Sequence, residues 1–157
     1  MVDRLSVAQR SRNMSRVRGV HTGPERVLRS GLHCAGLRFR LHRRDLEGRP
    51  DIVLPRYSAV IFVHGCFWHQ HPGCRKATVP KTRSAFWAEK LAQNRLRDER
   101  QIAALLAADW RVLIVWECAL SVAGGRAGAI ARAARWVRGT SRYSEITRSA
   151  DQPSRSG

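Results

Sequence analysis

Lysine is almost missing from this chain of 157 residues. Lys76, Lys81 and Lys90 are present, and the other 26 of the 29 basic side chains are arginine. Acidic residues are scarce as well, 12 against 29, which leaves a formal net charge of +17. Such an excess implies a polyanionic partner, because neutralising phosphates releases their counterions. Arginine forks phosphate oxygens and guanine edges and stacks on bases. A GC-rich genome would explain the choice of arginine over lysine equally well, but not the charge itself. Long apolar runs are absent. The longest, Ile102 to Ala108, is far too short to cross a bilayer. No apolar stretch follows the charges of MVDRLSVAQRSRNMSR, as an export leader would require. The positive charge is spread along the chain rather than gathered on one helix, which argues against a membrane-surface segment. The expectation is a soluble, intracellular protein of one domain with a single core. Internal repeats are absent too. Cysteine is limited to Cys34, Cys66, Cys74 and Cys118. Without an export signal disulfides are not expected, and metal binding becomes the better reading. Cys34 stands alone in an apolar helical pattern and is expected as a small buried residue.

Residues 1–21 are polar and basic and read as an arm. Thr22 is placed to cap a helix with Pro24 in its first turn and Val27, Leu28, Leu32 and Ala35 on its apolar face. Short strands are predicted over Leu37–Leu41, Asp51–Leu54 and Tyr57–Val63, with Pro55-Arg56 turning the last two into a hairpin. Ser84 to Ala108 lacks Gly and Pro and reads as one long helix. A buried strand, Arg111–Trp116, and a last helix over about 126–138 follow, with Gly139 as a stop. The domain therefore spans 22–138, and the Ser/Arg-rich residues 139–157 are expected to be disordered. The order predicts an α/β fold with a mixed central sheet flanked by helices. It is also the order of restriction-endonuclease-like nucleases.

The stretch HGCFWHQHPGC, residues 64–74, concentrates the chemistry. Cys66, His71 and Cys74 have the spacing C-x4-H-x2-C, and Cys118 follows a predicted strand. Three thiolates and one imidazole would close a tetrahedral structural zinc site. Spacing alone does not choose between His69 and His71. Phosphodiester hydrolysis needs carboxylates to hold a metal and a base to activate water. Asp51, stiffened by Gly48-Arg49-Pro50, is the first candidate for the metal, with carbonyls at Val63-His64 nearby. Glu25 and Asp98 are further acids. His64 and His69 compete for the base, since imidazole titrates near neutral pH. Phe67 and Trp68, held among metal ligands, are candidates to wedge between base pairs, with Trp87 as a third stacking group. Core burial competes with that reading, above all for Phe86.

The runs GRPDIV, VIFVHGCFWHQH, PKTRSAFWAEKLAQNRLRD and RVLIVWEC, in that order within roughly residues 8–120, resemble the very-short-patch repair endonucleases, and SRNMSRVRG is similar to that family's arm. The resemblance implies a restriction-endonuclease-like core with a structural zinc. The implied activity is a magnesium-dependent nick 5′ to the thymine of a T:G mismatch left by deamination of 5-methylcytosine. By resemblance, Asp51 binds magnesium with the Val63 carbonyl, and His69 acts on the attacking water, positioned with Asp98. Glu25 and His64 line the same centre. Cys66, His71, Cys74 and Cys118 hold zinc. Phe67, Trp68 and Trp87 intercalate, and Met14 enters from the other groove. Val63 stands where the family carries threonine, a mild change if only the carbonyl is used. The wider fold's acidic-x-Lys pair is missing from Tyr57–His64, which a histidine mechanism explains. Partners implied are T:G-containing duplex DNA, mismatch-repair and resynthesis proteins, and a companion cytosine methyltransferase. The implied protein is a monomer of the bacterial cytoplasm, at the nucleoid. Two rival readings are a non-catalytic zinc-stabilised binder of distorted DNA and a restriction-type nuclease that cuts both strands of matched DNA.

Overall fold

A computed structural model describes residues 23–122 and 125–148. The arm at 1–21 with Met14, the cap Thr22 and the end of the tail lie outside the described residues. The first helix, α1, is Gly23–Cys34, followed by strands β1 (Arg40–Leu41), β2 (Ile52–Leu54) and β3 (Ala59–His64). Helix α2 (Ser84–Ala107), strand β4 (Arg111–Trp116), helix α3 (Arg126–Arg138) and strand β5 (Tyr143–Ile146) complete it. The five strands form one sheet in chain order. The pairs β1–β2 and β2–β3 are antiparallel, and β3–β4 and β4–β5 are parallel.

The central strands are buried on both faces, so they read as apolar runs rather than as alternation. Their side chains still alternate. Ile52, Leu54, Ile61, Leu113 and Val115 pack with Leu28 and Leu32 of α1 and with Ala129, Ala133 and Val137 of α3. Val53, Val60, Phe62, Val112, Ile114 and Trp116 face the other way, onto Leu105 of α2 with Ile102 and Leu106. The result is a mixed α/β sheet with helices on both faces, as predicted. No helix of the described residues is long and apolar enough to cross a membrane.

Local chemistry explains the departures. Helix α1 ends with Gly36 at φ +90°, where the Gly36 N–H donates to His33 O and the Leu37 N–H to Leu32 O, at 3.0 and 3.1 Å. This double closure needs a left-handed residue that glycine supplies without strain. Leu37 is thereby consumed by the cap and the core, and the strand expected from Leu37 starts at Arg40. Pro55–Tyr57 form a 3-10 turn with Ser58 left-handed at its end, so β3 begins at Ala59 instead of Tyr57. Cys34 is exposed, against the expectation of burial. It lies two residues past Leu32, about 200° around the helix from that buried position. The tail expected to be disordered contributes β5: Tyr143–Ile146 pair with β4, and Ile146 is buried in the core.

Arginine closes the helix ends. Arg138 donates to Ala35 O just past α1, Arg142 to Leu106 O in the last turn of α2, and Arg111 to Trp136 O and Val137 O of α3. Each guanidinium meets carbonyls at the C-terminal end of a helix, where Leu106 O and Trp136 O also accept a capping backbone N–H, at the negative end of the helix dipole.

Candidate active site

The strand ends that gather the chemistry lie on one side of the sheet. His64 is the last residue of β3 and pairs with Trp116, the last of β4. Asp51 directly precedes the pair Ile52–Ile61, so it sits toward the same end. Glu25 enters from the first turn of α1 and is 1% exposed. The carboxyl of Asp51 accepts the Val63 N–H at 2.7 Å, so Val63 touches it through its amide. One ligand atom each from Glu25, His42 and Asp51 lies within 4.8 Å of the other two. Burial pushes the Asp51 carboxyl up to about 7, with the charge of Glu25 adding to the rise and the Val63 amide opposing it. Two carboxyls buried together are costly without a cation, so this donor set suits a hard divalent ion held by a few oxygens.

Next to this centre stand the histidines. The rings of His64 and His69 stack with centroids 3.8 Å apart and planes 3° from parallel. His69 Nδ1 lies 2.6 Å from Asp98 Oδ2, which reaches in from α2. Ligand atoms of His64, His69 and Asp98 fall within 4.8 Å of one another. Burial holds His64 well below the ordinary imidazole value, and the neighbouring His69 adds to this. His64 is therefore uncharged at neutral pH. An Asp98 carboxylate at Nδ1 fixes the proton there and leaves Nε2 of His69 as the basic nitrogen.

The cysteines separate cleanly from this group. Cys66, His71, Cys74 and Cys118 converge within 4.8 Å. The Sγ atoms of Cys66 and Cys118 lie 3.6 and 3.5 Å from His71 Nδ1. Metal bonds of about 2.3 Å to sulfur and about 2.05 Å to nitrogen would place sulfur and nitrogen about 3.55 Å apart on a tetrahedron. The cluster thus has a donor set, and along these two edges the spacing, that could hold a tetrahedral metal ion. Burial pushes the Cys66 and Cys118 thiols up, a cost that a bound cation reverses. His71, and not His69, shares this cluster. Its ring stacks on Trp116 at 4.2 Å, with planes 7° apart.

Phe67 and Trp68 follow Cys66 and form a cluster with Trp87 of α2, the three rings 4.9 to 5.9 Å apart. All three are half-buried. Phe86 is not core: it is 46% exposed, lies against Trp87 at 5.6 Å and carries the Arg83 guanidinium 4.4 Å over its ring. Side chains help to hold the loop through its backbone. Gln70 Nε2 donates to Phe67 O at 2.6 Å, and the Cys66 N–H donates to Glu117 at 3.1 Å. Met14 lies outside the described residues.

Sequence reading missed His42 and Trp116. His42 Nε2 is 2.6 Å from Glu25 Oε1. Only the β1–β2 register could have found it: Leu41 pairs with Ile52, which brings the next residue opposite Asp51. Trp116 read as strand core, and its ring contacts with His64 and His71 are tertiary.

Known proteins are similar to this chain over most of its length. A family model described as DNA mismatch endonuclease Vsr matches residues 2–76. A type II nicking enzyme, V.XorIIP of Xanthomonas oryzae pv. oryzae, is 54% identical over 124 residues, covering 79% of this chain and 90% of the relative. The DNA mismatch endonuclease Vsr of Escherichia coli is 49% identical over 120 residues, 76% of each chain. The type II nicking enzyme V.NmeAIP of Neisseria meningitidis is 38% identical over 120 residues, 76% of this chain and 85% of the relative. Relatives this similar over most of both chains settle the kinship, and the chain belongs to the Vsr family of DNA mismatch endonucleases.

Proposed function

We propose that this protein is a strand-specific DNA endonuclease that nicks 5′ to the thymine of T:G mismatches in very-short-patch repair. The observation that carries the reading is the apposition, at one end of the sheet, of the buried Glu25 and half-buried Asp51 carboxyls with the His64–His69–Asp98 group. The helix-flanked mixed sheet suits a restriction-endonuclease-like core. In this reading Asp51, with Glu25 and the Val63 carbonyl, holds magnesium. Bound there, the ion supplies charge to offset the negative phosphate. His69 takes the proton of the attacking water at Nε2, and Asp98 keeps its ring turned. His64 stays neutral and supports the ring of His69 by stacking. The new phosphorus–oxygen bond forms as the bond to the leaving oxygen breaks. Cys66, His71, Cys74 and Cys118 hold a structural zinc. The zinc frames the loop from which Phe67 and Trp68, with Trp87, enter the duplex beside the mismatch; Met14 does so from the arm.

That the relatives are a mismatch endonuclease and nicking enzymes supports a mismatched substrate and the single-strand outcome. A companion cytosine methyltransferase would define the sequence context, and mismatch-repair and resynthesis proteins would act on the nicked product. Single-turnover nicking of T:G and matched duplexes, with and without magnesium, tests the proposal. We expect magnesium-dependent nicking of one strand of the T:G duplex, abolished in Asp51→Ala with mismatch binding retained. Binding without cleavage would favour the non-catalytic binder, and double-strand cleavage of matched DNA the restriction-type nuclease.

A further inference from the structure

We infer that Glu145 and Trp116 are positioning residues that couple the Cys/His cage to the histidine pair. The inference rests on the reading of His69 as the base. Trp116 is 5% exposed and touches both centres: its ring lies parallel on His71 at 4.2 Å and edge-on to His64 at 5.3 Å, with planes at 75°. His64 in turn stacks on His69, and His69 meets Asp98. A single packed line therefore runs from the cage to the proposed base.

Stacking fixes the tilt of a ring but lets it slide in its plane. The slide of Trp116 is fixed by its indole N–H, which donates to Glu145 Oε1 at 3.0 Å. A buried indole N–H needs such an acceptor. The β4–β5 register explains why Glu145 can supply it. Glu145 pairs with Ile114, and Ile114 and Trp116 face the same side of the sheet. The strand formed by the tail thus reaches the active centre through one carboxylate, although Glu145 is itself exposed and lies far from the DNA-cleaving residues in sequence.

The test compares Glu145→Leu and Glu145→Gln in the zinc-loaded full chain. Glu145→Leu removes the acceptor at similar size, whereas Glu145→Gln keeps a carbonyl acceptor and removes the charge. Partners that orient the residues of a site are typically worth about 10- to 100-fold. We expect Glu145→Leu to slow single-turnover nicking of T:G duplex by about tenfold or more, with mismatch affinity and zinc content at wild-type level, and Glu145→Gln to recover most of the rate. Trp116→Phe, which keeps a ring and loses the donor, should reproduce Glu145→Leu and carries the prediction should that variant not fold. Wild-type rates in Glu145→Leu and Trp116→Phe would overturn the inference. So would a Glu145→Gln as slow as Glu145→Leu, or a fall in rate matched by loss of zinc and of DNA binding. Failure of the underlying reading has a different signature: His69→Ala would then nick at the wild-type rate.

Discussion

At Asp51, burial and the Val63 amide act in opposite directions, and burial wins: it pushes the carboxyl up to about 7 in the fold against an ordinary 3.8. The sign of the consequence is fixed. Between those values the unfolded chain releases the proton that the folded chain keeps, so stability falls as pH rises through the window and levels off above it. At 1.36 kcal/mol per unit, the cost is on the order of 4 kcal/mol. Denaturant midpoints from about pH 4 to 8, without added magnesium, should show a decline that is shallower in Asp51→Asn and smaller when magnesium is present. Identical pH profiles for wild type and Asp51→Asn would remove the buried-carboxyl account. The two neighbouring histidines separate by the same kind of local reasoning. His69→Ala should leave about one equivalent of zinc per chain while slowing nicking by about 10²–10⁴-fold. His71→Ala should lose the zinc and much of the stability, since a structural site's binding energy is largely folding energy. Metal analysis alongside kinetics of both variants checks the pair, and zinc loss in His69→Ala would move it into the cage. Spacing in the sequence could not divide these roles, because His69 and His71 are two residues apart. Their partners differ: Asp98 comes from α2 and Cys118 from beyond β4.

Among the elements, the strongly apolar ones were legible. β2, β3, β4 and the long α2 announce themselves by β-rich runs and by a breaker-free stretch. β5 did not, because Tyr143–Ile146 buries only Ile146 fully and sits at a sheet edge, where a polar sequence suffices. Its pairing is set by β4, which no local pattern reveals. The packing of α1 on α3 was equally invisible. A Cβ added at Gly31 would lie 2.6 Å from Ile130 Cγ2, so glycine here buys close approach of two helices rather than a turn. An exposed helical Gly→Ala change gains roughly 1 kcal/mol, but overpacking costs about 1–3 kcal/mol. Gly31→Ala should therefore be neutral to destabilising, and the same change in an Ile130→Ala background should be stabilising. A double-mutant cycle by urea unfolding measures the coupling. Additive effects would mean that the helices do not meet at these two residues.

For the whole molecule, the charge of +17 is not one uniform coat. Arg111, Arg138 and Arg142 are spent on helix-terminal carbonyls, and Arg126 and Arg132 donate to Leu120 O and Thr147 O. Composition alone counts them as a phosphate-binding surface. Arg138 and Arg142 are exposed even so, but Arg75, Lys76, Lys81, Arg83, Arg95, Arg97 and Arg100 are exposed on the loop leading to α2 and on α2 itself, the element that also carries Trp87 and Asp98. Association with duplex DNA should weaken linearly in log–log terms with salt, and the slope should respond to position. Lys81→Ala and Arg83→Ala should each weaken binding to all sequences and reduce the salt slope by about 1. Arg111→Ala should instead lower the unfolding midpoint, since several carbonyls and the face of Trp136 each lose a partner, while the folded protein keeps the wild-type salt slope. Titrations of one labelled duplex at several salt concentrations, with unfolding curves for the same preparations, separate the two classes. An Arg111→Ala slope reduced as much as that of Arg83→Ala would return the capping arginines to the DNA surface and restore the reading of charge as a single coat.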